Sequence, residues 1–240
     1  MEFTYSSYRE LLKLLSRNQY VFSSYDNYTL SSKSVILRHD IDYSIEQSVR
    51  IARLEKELGV GSTYFVLLSS DFYNPASSQS YKSLHEIIKL GHRIGLHFDE
   101  TAYNYDVFPL EYYIRKEARI LSDLLDVNIN AFSLHRPNQR TIETKLAIPG
   151  LVNSYGEEFF HGFKYLSDSR RRWREPVEEI IKSNEYLRLH ILTHAFWYHD
   201  SDETIQETIQ HFIHSAGRER IKSLKENISS LEEIVEEAYE

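Results

Sequence analysis

Short apolar runs of strand type alternate along the chain with stretches whose apolar residues recur at helical spacing. The first helix is expected where Ser7-Tyr8-Arg9-Glu10 forms a capping box ahead of Leu11, Leu12, Leu14 and Leu15. A polar Ser/Tyr/Asn segment separates it from an apolar strand over 34–39, which runs straight into His39-Asp40-Ile41-Asp42. Ser44-Ile45-Glu46-Gln47 is a second capping box, with Ile45, Val49, Ala52 and Leu58 near helical spacing and Gly59 as the stop. Further strands are expected at 62–68, 93–96, 129–134 and 186–192, with helices over 81–90, 109–125 and 176–184 between them. The pattern over 139–166 is irregular, with short strand signals near 151–152 and 163–166. The tail, 202–239, is strongly helical and acidic at its end.

Strands and helices alternating through short turns imply a mostly parallel sheet covered by helices. Several strands end in titratable groups: His39-Asp40-Ile41-Asp42, His97-Phe98-Asp99-Glu100, His135-Arg136-Pro137-Asn138 and Thr193-His194. In an open α/β sheet such groups gather at one switch point. Their spread over many strand ends favours an α/β fold of the distorted (β/α) barrel type, seven-stranded, with its active site at the C-terminal ends of the strands. No repeat or linker divides the chain. The expectation is one barrel domain over 1–240, carrying an N-terminal helical extension (1–33) and C-terminal helices (202–240).

Composition narrows the partners. The 240 residues are 41% hydrophobic and 27% charged, with a net charge of -8 and no long Lys/Arg run, so nothing favours nucleic acid. Cysteine is absent, which excludes disulfides and thiolate chemistry. Neither a secretory signal nor a membrane-spanning run is visible, and a cytoplasmic protein is the expectation. The 18 Tyr and 12 Phe could line a sugar groove or simply pack a core.

Asp40 and Asp42 sit at alternate positions, so an extended chain projects them together, and two close carboxylates need a cation, a proton or a reacting group between them. Each group also has an ordinary reading. Asp42 could cap the following helix, His97 could bond backbone, Arg136 could belong to a turn, and His194 could be a polar strand top. His39 and His199 have no assigned task. Taken together, Asp40, Asp42, His97, His135, Arg136 and His194 offer oxygen and nitrogen ligands that suit Zn²⁺ or a similar divalent ion.

From about Val35 to Trp197 the chain resembles the polysaccharide deacetylase superfamily, the NodB-homology or carbohydrate esterase 4-like group. His39-Asp40-Ile41-Asp42 is similar to its first motif. Gly91-His92-Arg93-Ile94-Gly95-Leu96-His97 resembles a Gly-His-Glu-Ile-Gly-x-His stretch, His135-Arg136-Pro137 the third motif, Ser167-Asp168-Ser169 through Trp173 the fourth, and Leu192-Thr193-His194 the last. The resemblance implies hydrolysis of an N-acetyl group on an amino sugar, in a glycan or glycan precursor of surface-polysaccharide biosynthesis. It makes Asp40 the base, Arg136 the residue that holds it, Asp42 and His97 metal ligands, His194 the acid and Asp168 its orienting partner. The cofactor it implies is a divalent metal, Zn²⁺ above others.

One departure stands out. The second motif calls for a histidine four residues after His97, and Thr101 occupies that position. His135 is the first candidate for the missing ligand; Asp99 and Glu100 follow. Two other functions fit the same residues: a barrel metallohydrolase acting on a small amide, and a non-catalytic relative that binds glycan or a partner protein.

Overall fold

The computed structural model describes residues 1–104, 107–143 and 146–228. The chain divides into two compact units, Met1–Asp200 and Ser201–Glu240. In chain order the first unit runs through α1 (Tyr5–Arg17), β1 (Val21–Ser23), β2 (Ser34–Ile41), α2 (Ile45–Glu57), β3 (Thr63–Leu67), α3 (Ser78–Lys89), β4 (Arg93–Asp99) and α4 (Leu110–Leu125). It continues with β5 (Ala131–His135), α5 (Gln139–Glu143), β6 (Val152–Asn153), α6 (Glu157–His161), β7 (Lys164–Ser167), α7 (Val177–Ser183) and β8 (Arg188–Thr193). The second unit holds α8 (Ile205–Lys225), opened by a capping box between Thr204 and Glu207. The acidic end of the expected helical tail, 229–240, lies outside the described residues.

Among the described residues all strand pairs are parallel, in the order β6-β5-β4-β3-β2-β8-β7, a curled half-barrel of seven strands. β1 is an eighth strand beside β2: it pairs with Ser34–Ile36, β3 pairs with Arg38–Ile41, and β8 takes the opposite edge. β2 is thus covered on both edges, and all eight of its residues are buried. That is the continuous apolar run expected of a strand covered on both faces, interrupted only where Arg38, His39 and Asp40 carry their own partners.

Three local features differ from the sequence expectation. The first helix begins at Tyr5, because Thr4 supplies the cap: its Oγ1 accepts from the Ser7 amide, so Ser7 lies inside the helix. The polar segment before β2 contains β1 and puts Tyr25 and Tyr28 into the core with Ile36, Phe65, Phe159 and Phe163. Among its described residues the irregular stretch holds two one-turn helices, α5 and α6, too short to show a period. Ser44 does cap α2, accepting from the Gln47 amide. Gly95 is fixed by contact: a Cβ there would stand 2.5 Å from the Phe65 ring of the neighbouring strand.

No helix among the described residues is long and apolar enough to cross a membrane.

Candidate active site

Alternation along β2 separates two polar assemblies. Arg38 and Asp40 share one face, and His39 faces the other way. His39 is fully enclosed: Nε2 lies 2.8 Å from Glu55 Oε1, Nδ1 lies 2.6 Å from Thr193 Oγ1, and the ring stacks on Tyr64. Glu55 also accepts from Tyr8, Ser62 and Tyr64. His39, left without a task by the sequence, is therefore a structural anchor on the side of β2 opposite the site.

On the site face, Asp40 accepts two hydrogen bonds from Arg38, Nε to Oδ1 at 2.8 Å and Nη2 to Oδ2 at 2.7 Å. Burial favours protonation of Asp40, but the Arg38 guanidinium, and after it His97, outweighs burial and holds the carboxyl below its ordinary range. Asp42 follows just past the strand end. His97 ends its apolar run on β4, and His135 is the last residue of β5. The adjacency of β4 and β5 brings the two imidazoles together, with His97 Nε2 3.0 Å from His135 Nδ1.

Asp42, His97 and His135 each turn one ligand atom inward, all within 4.8 Å of one another. His97 Nε2 is 3.2 Å and His135 Nδ1 3.3 Å from Asp42 Oδ1. That oxygen is buried, yet accepts no hydrogen bond among the described residues. A buried carboxylate oxygen without a donor is costly, and an ion between it and two imidazole nitrogens removes the cost. A set of one carboxylate oxygen and two imidazole nitrogens suits a divalent metal. The residues fit the ion.

Ser133 prepares His97 for this. Its Oγ lies 2.7 Å from His97 Nδ1 and 3.4 Å from Asp40 Oδ1. A neutral His97 that donates Nδ1–H to Ser133 keeps the Nε2 lone pair toward the cluster, and the serine proton then points to Asp40.

Across the site stands His194, just past β8. Its Nδ1 is 2.6 Å from Asp168 Oδ1, and its Nε2 lies 3.8 Å from Asp42 Oδ2. Asp168 is fully buried after β7; it also accepts from the His194 amide and from Tyr198. Burial disfavours the imidazolium, yet Asp168, with Asp42 and Asp40 behind it, raises His194 to about 9. Tyr43, the residue after Asp42, packs its ring on those of Phe72, Phe196 and Trp197, with centroids 4.6 Å apart for Tyr43 and Phe196.

The structure corrects the place of Arg136. Its side chain is 73% exposed, and its partner among the described residues is Asp99, 3.3 Å away. The backbone explains this: Arg136 has φ of 48°, so the chain turns left-handed directly after β5 and carries the guanidinium away from Asp40. Asp99 and Glu100 are likewise committed elsewhere. Asp99 accepts from the Thr101 amide at 2.9 Å and its hydroxyl at 2.7 Å, and Glu100 accepts from Asn138 and Thr141. Thr101 itself is spent on Asp99. Sequence reasoning missed Arg38 and Ser133. Both were within reach of it, since Arg38 lies two before Asp40 and Ser133 two before His135, on the same faces of their strands.

No family model matches the chain, and no curated protein matches it. Among solved structures, its chain course is similar to that of family 4 carbohydrate esterases. A family 4 carbohydrate esterase from Bacillus anthracis is 16% identical over 87% of this chain and 85% of that one, with a TM-score of 0.45. A family 4 acetyl xylan esterase from Clostridium thermocellum, in complex with a cobalt ion, is 12% identical over 77% of this chain and 84% of that one (TM-score 0.43). A family 4 pseudoenzyme from Bacillus anthracis is 14% identical over 76% of this chain; the match spans 61% of that protein (TM-score 0.42). At such values the functional reading rests on the side chains alone.

Proposed function

We propose that the chain is a metal-dependent hydrolase that removes an N-acetyl group from an amino sugar in a glycan or glycan precursor. The observation that carries the reading is Asp42 Oδ1, buried and without a donor between His97 Nε2 and His135 Nδ1, with Asp40 on one side and His194 on the other.

Asp42, His97 and His135 would hold the ion, for which Zn²⁺ is the best fit to a mixed imidazole and carboxylate set. When bound, a divalent ion supplies Lewis acidity, polarising the acetyl carbonyl and lowering the pKa of water. The chain's own groups do the rest. Asp40, held ionised, receives the proton of the attacking water. His194, pinned through Nδ1 by Asp168, presents Nε2 to the site and hands its proton to the departing amine. The carbon–nitrogen bond of the amide breaks, the acetyl carbon gains the water oxygen, and acetate and a free amino sugar result. The Tyr43 ring, next in sequence to Asp42 and edge-to-face with Phe72, would offer a sugar face a surface to rest on.

The experiment is acetate release from N-acetylated amino-sugar oligomers and nucleotide-linked N-acetyl sugars, with the Zn²⁺-loaded protein. Turnover that disappears in Asp40→Asn while metal content stays stoichiometric, and in Asp42→Asn together with the metal, is the expected result. Equal activity in both variants would overturn the assignment.

A further inference from the structure

We infer that Arg38, together with Ser133, is the positioning clamp of the base, and that it turns one defined oxygen of Asp40, Oδ2, toward the ligand cluster. The inference rests on the proposed hydrolase reading of the same site and goes beyond it in naming the residue that holds the base and the oxygen that takes the proton.

The geometry accounts for each lone pair. Asp40 Oδ1 accepts from Arg38 Nε at 2.8 Å, and the Ser133 hydroxyl, 3.4 Å away, stands against its other acceptor direction. Oδ2 accepts one bond, from Arg38 Nη2 at 2.7 Å, and faces His97 Nε2 at 3.7 Å. A proton from a water over the cluster therefore has one oxygen to go to. The two parallel bonds form a fork, which fixes the plane of the carboxylate as well as its place. The clamp is rigid on its other sides too. Arg38 is completely buried, and its guanidinium carbon lies 4.7 Å from the centre of the Tyr155 ring and 5.6 Å from that of Phe65.

Because Arg38 and Asp40 stand two apart on one strand, the pair is built by β2 itself and needs no help from the loop after β5. Arg136, exposed and turned to Asp99, takes no part in it. A lysine at position 38 would keep the charge but lose the fork.

The test uses Arg38→Lys, Arg38→Met and Arg136→Met in the full, metal-loaded chain. Arg38→Met is expected to lower kcat for acetate release by about 100-fold, the scale set by loss of a positioned group, with KM and bound metal unchanged. Added guanidinium ion should restore part of the loss, Arg38→Lys should fall between, and Arg136→Met should retain kcat. An activity-free arm runs beside it: urea unfolding of Arg38→Met, Asp40→Asn and the double variant, and the same cycle for Arg136→Met. Strong coupling between positions 38 and 40, with the double variant more stable than Arg38→Met alone, supports the clamp even where single variants fold poorly. Additivity at 38 and 40, or an Arg136→Met loss of kcat as large as that of Arg38→Met, overturns it. A wild-type chain that releases no acetate while the 38–40 coupling stands would sink the hydrolase reading alone.

Discussion

Replacing Glu55 by glutamine should destabilise the protein by an amount that depends on pH in a defined way. Glu55 is completely buried on α2 and receives four donors: Tyr8 at 2.7 Å and His39 at 2.8 Å on Oε1, Ser62 at 2.6 Å and Tyr64 at 2.7 Å on Oε2. Burial pushes its carboxyl up, but the His39 imidazole, then His92 and the hydroxyls, pull it from 4.5 down to about 2. At about 1.4 kcal/mol per pH unit, that gap is worth about 3 kcal/mol of stability. The sign follows from proton binding. Between pH 4.5 and 2 the unfolded chain holds the proton and the folded one does not, so the contribution is full above pH 4.5 and fades as pH falls toward 2. Glutamine has no such dependence. Urea unfolding of wild type and Glu55→Gln at pH 5, 4 and 3 should give a difference of about 3 kcal/mol at pH 5 that shrinks at each lower value. Other carboxylates titrate in both proteins and cancel. A difference that stays constant across the range would refute the account of Glu55. The site would feel the change, since Glu55 holds His39 and the next residue is Asp40.

Other predictions concern single contacts. Glu117 is buried on α4, and that burial lifts its carboxyl to about 7, with Tyr103 donating to it. The folded state then keeps a proton that the unfolded chain releases, so stability declines as pH rises from 4.5 through 7; Glu117→Gln should gain on wild type above pH 7 and match it near pH 4, read by thermal melts. Gly95→Ala should cost roughly 1–3 kcal/mol, because its methyl would meet the Phe65 ring that also packs on Arg38; urea unfolding measures it. Ser133→Ala, which removes the group that fixes the His97 ring, should weaken metal affinity by about 10- to 100-fold in a chelator competition assay.

The periodic parts of the chain were readable from sequence, and so was the face on which the polar strand ends meet. Asp42, His97 and His135 come together because β2, β3, β4 and β5 are neighbours in register, a consequence of the βα alternation. Spacing does not separate His135 from Asp99 and Glu100; the Thr101 and Thr141 hydroxyls, which occupy those two carboxylates, favour His135. Arg136 was misplaced because motif spacing does not encode φ: a left-handed residue before Pro137 redirects the side chain. Arg38 was hidden by its own strand, where a charged residue inside an apolar run reads as an interruption until its partner two residues on is seen. β1 and the one-turn α5 and α6 carried no period to read.

The central claim is that Asp42, His97 and His135 form one divalent-metal site. Titration of the metal-stripped protein with Zn²⁺, followed by calorimetry in wild type and His135→Ala, tests it most directly. The account predicts one tight site per chain in the wild type and loss of that site in His135→Ala with the fold retained by circular dichroism. A folded His135→Ala variant that binds Zn²⁺ as tightly as the wild type would contradict it.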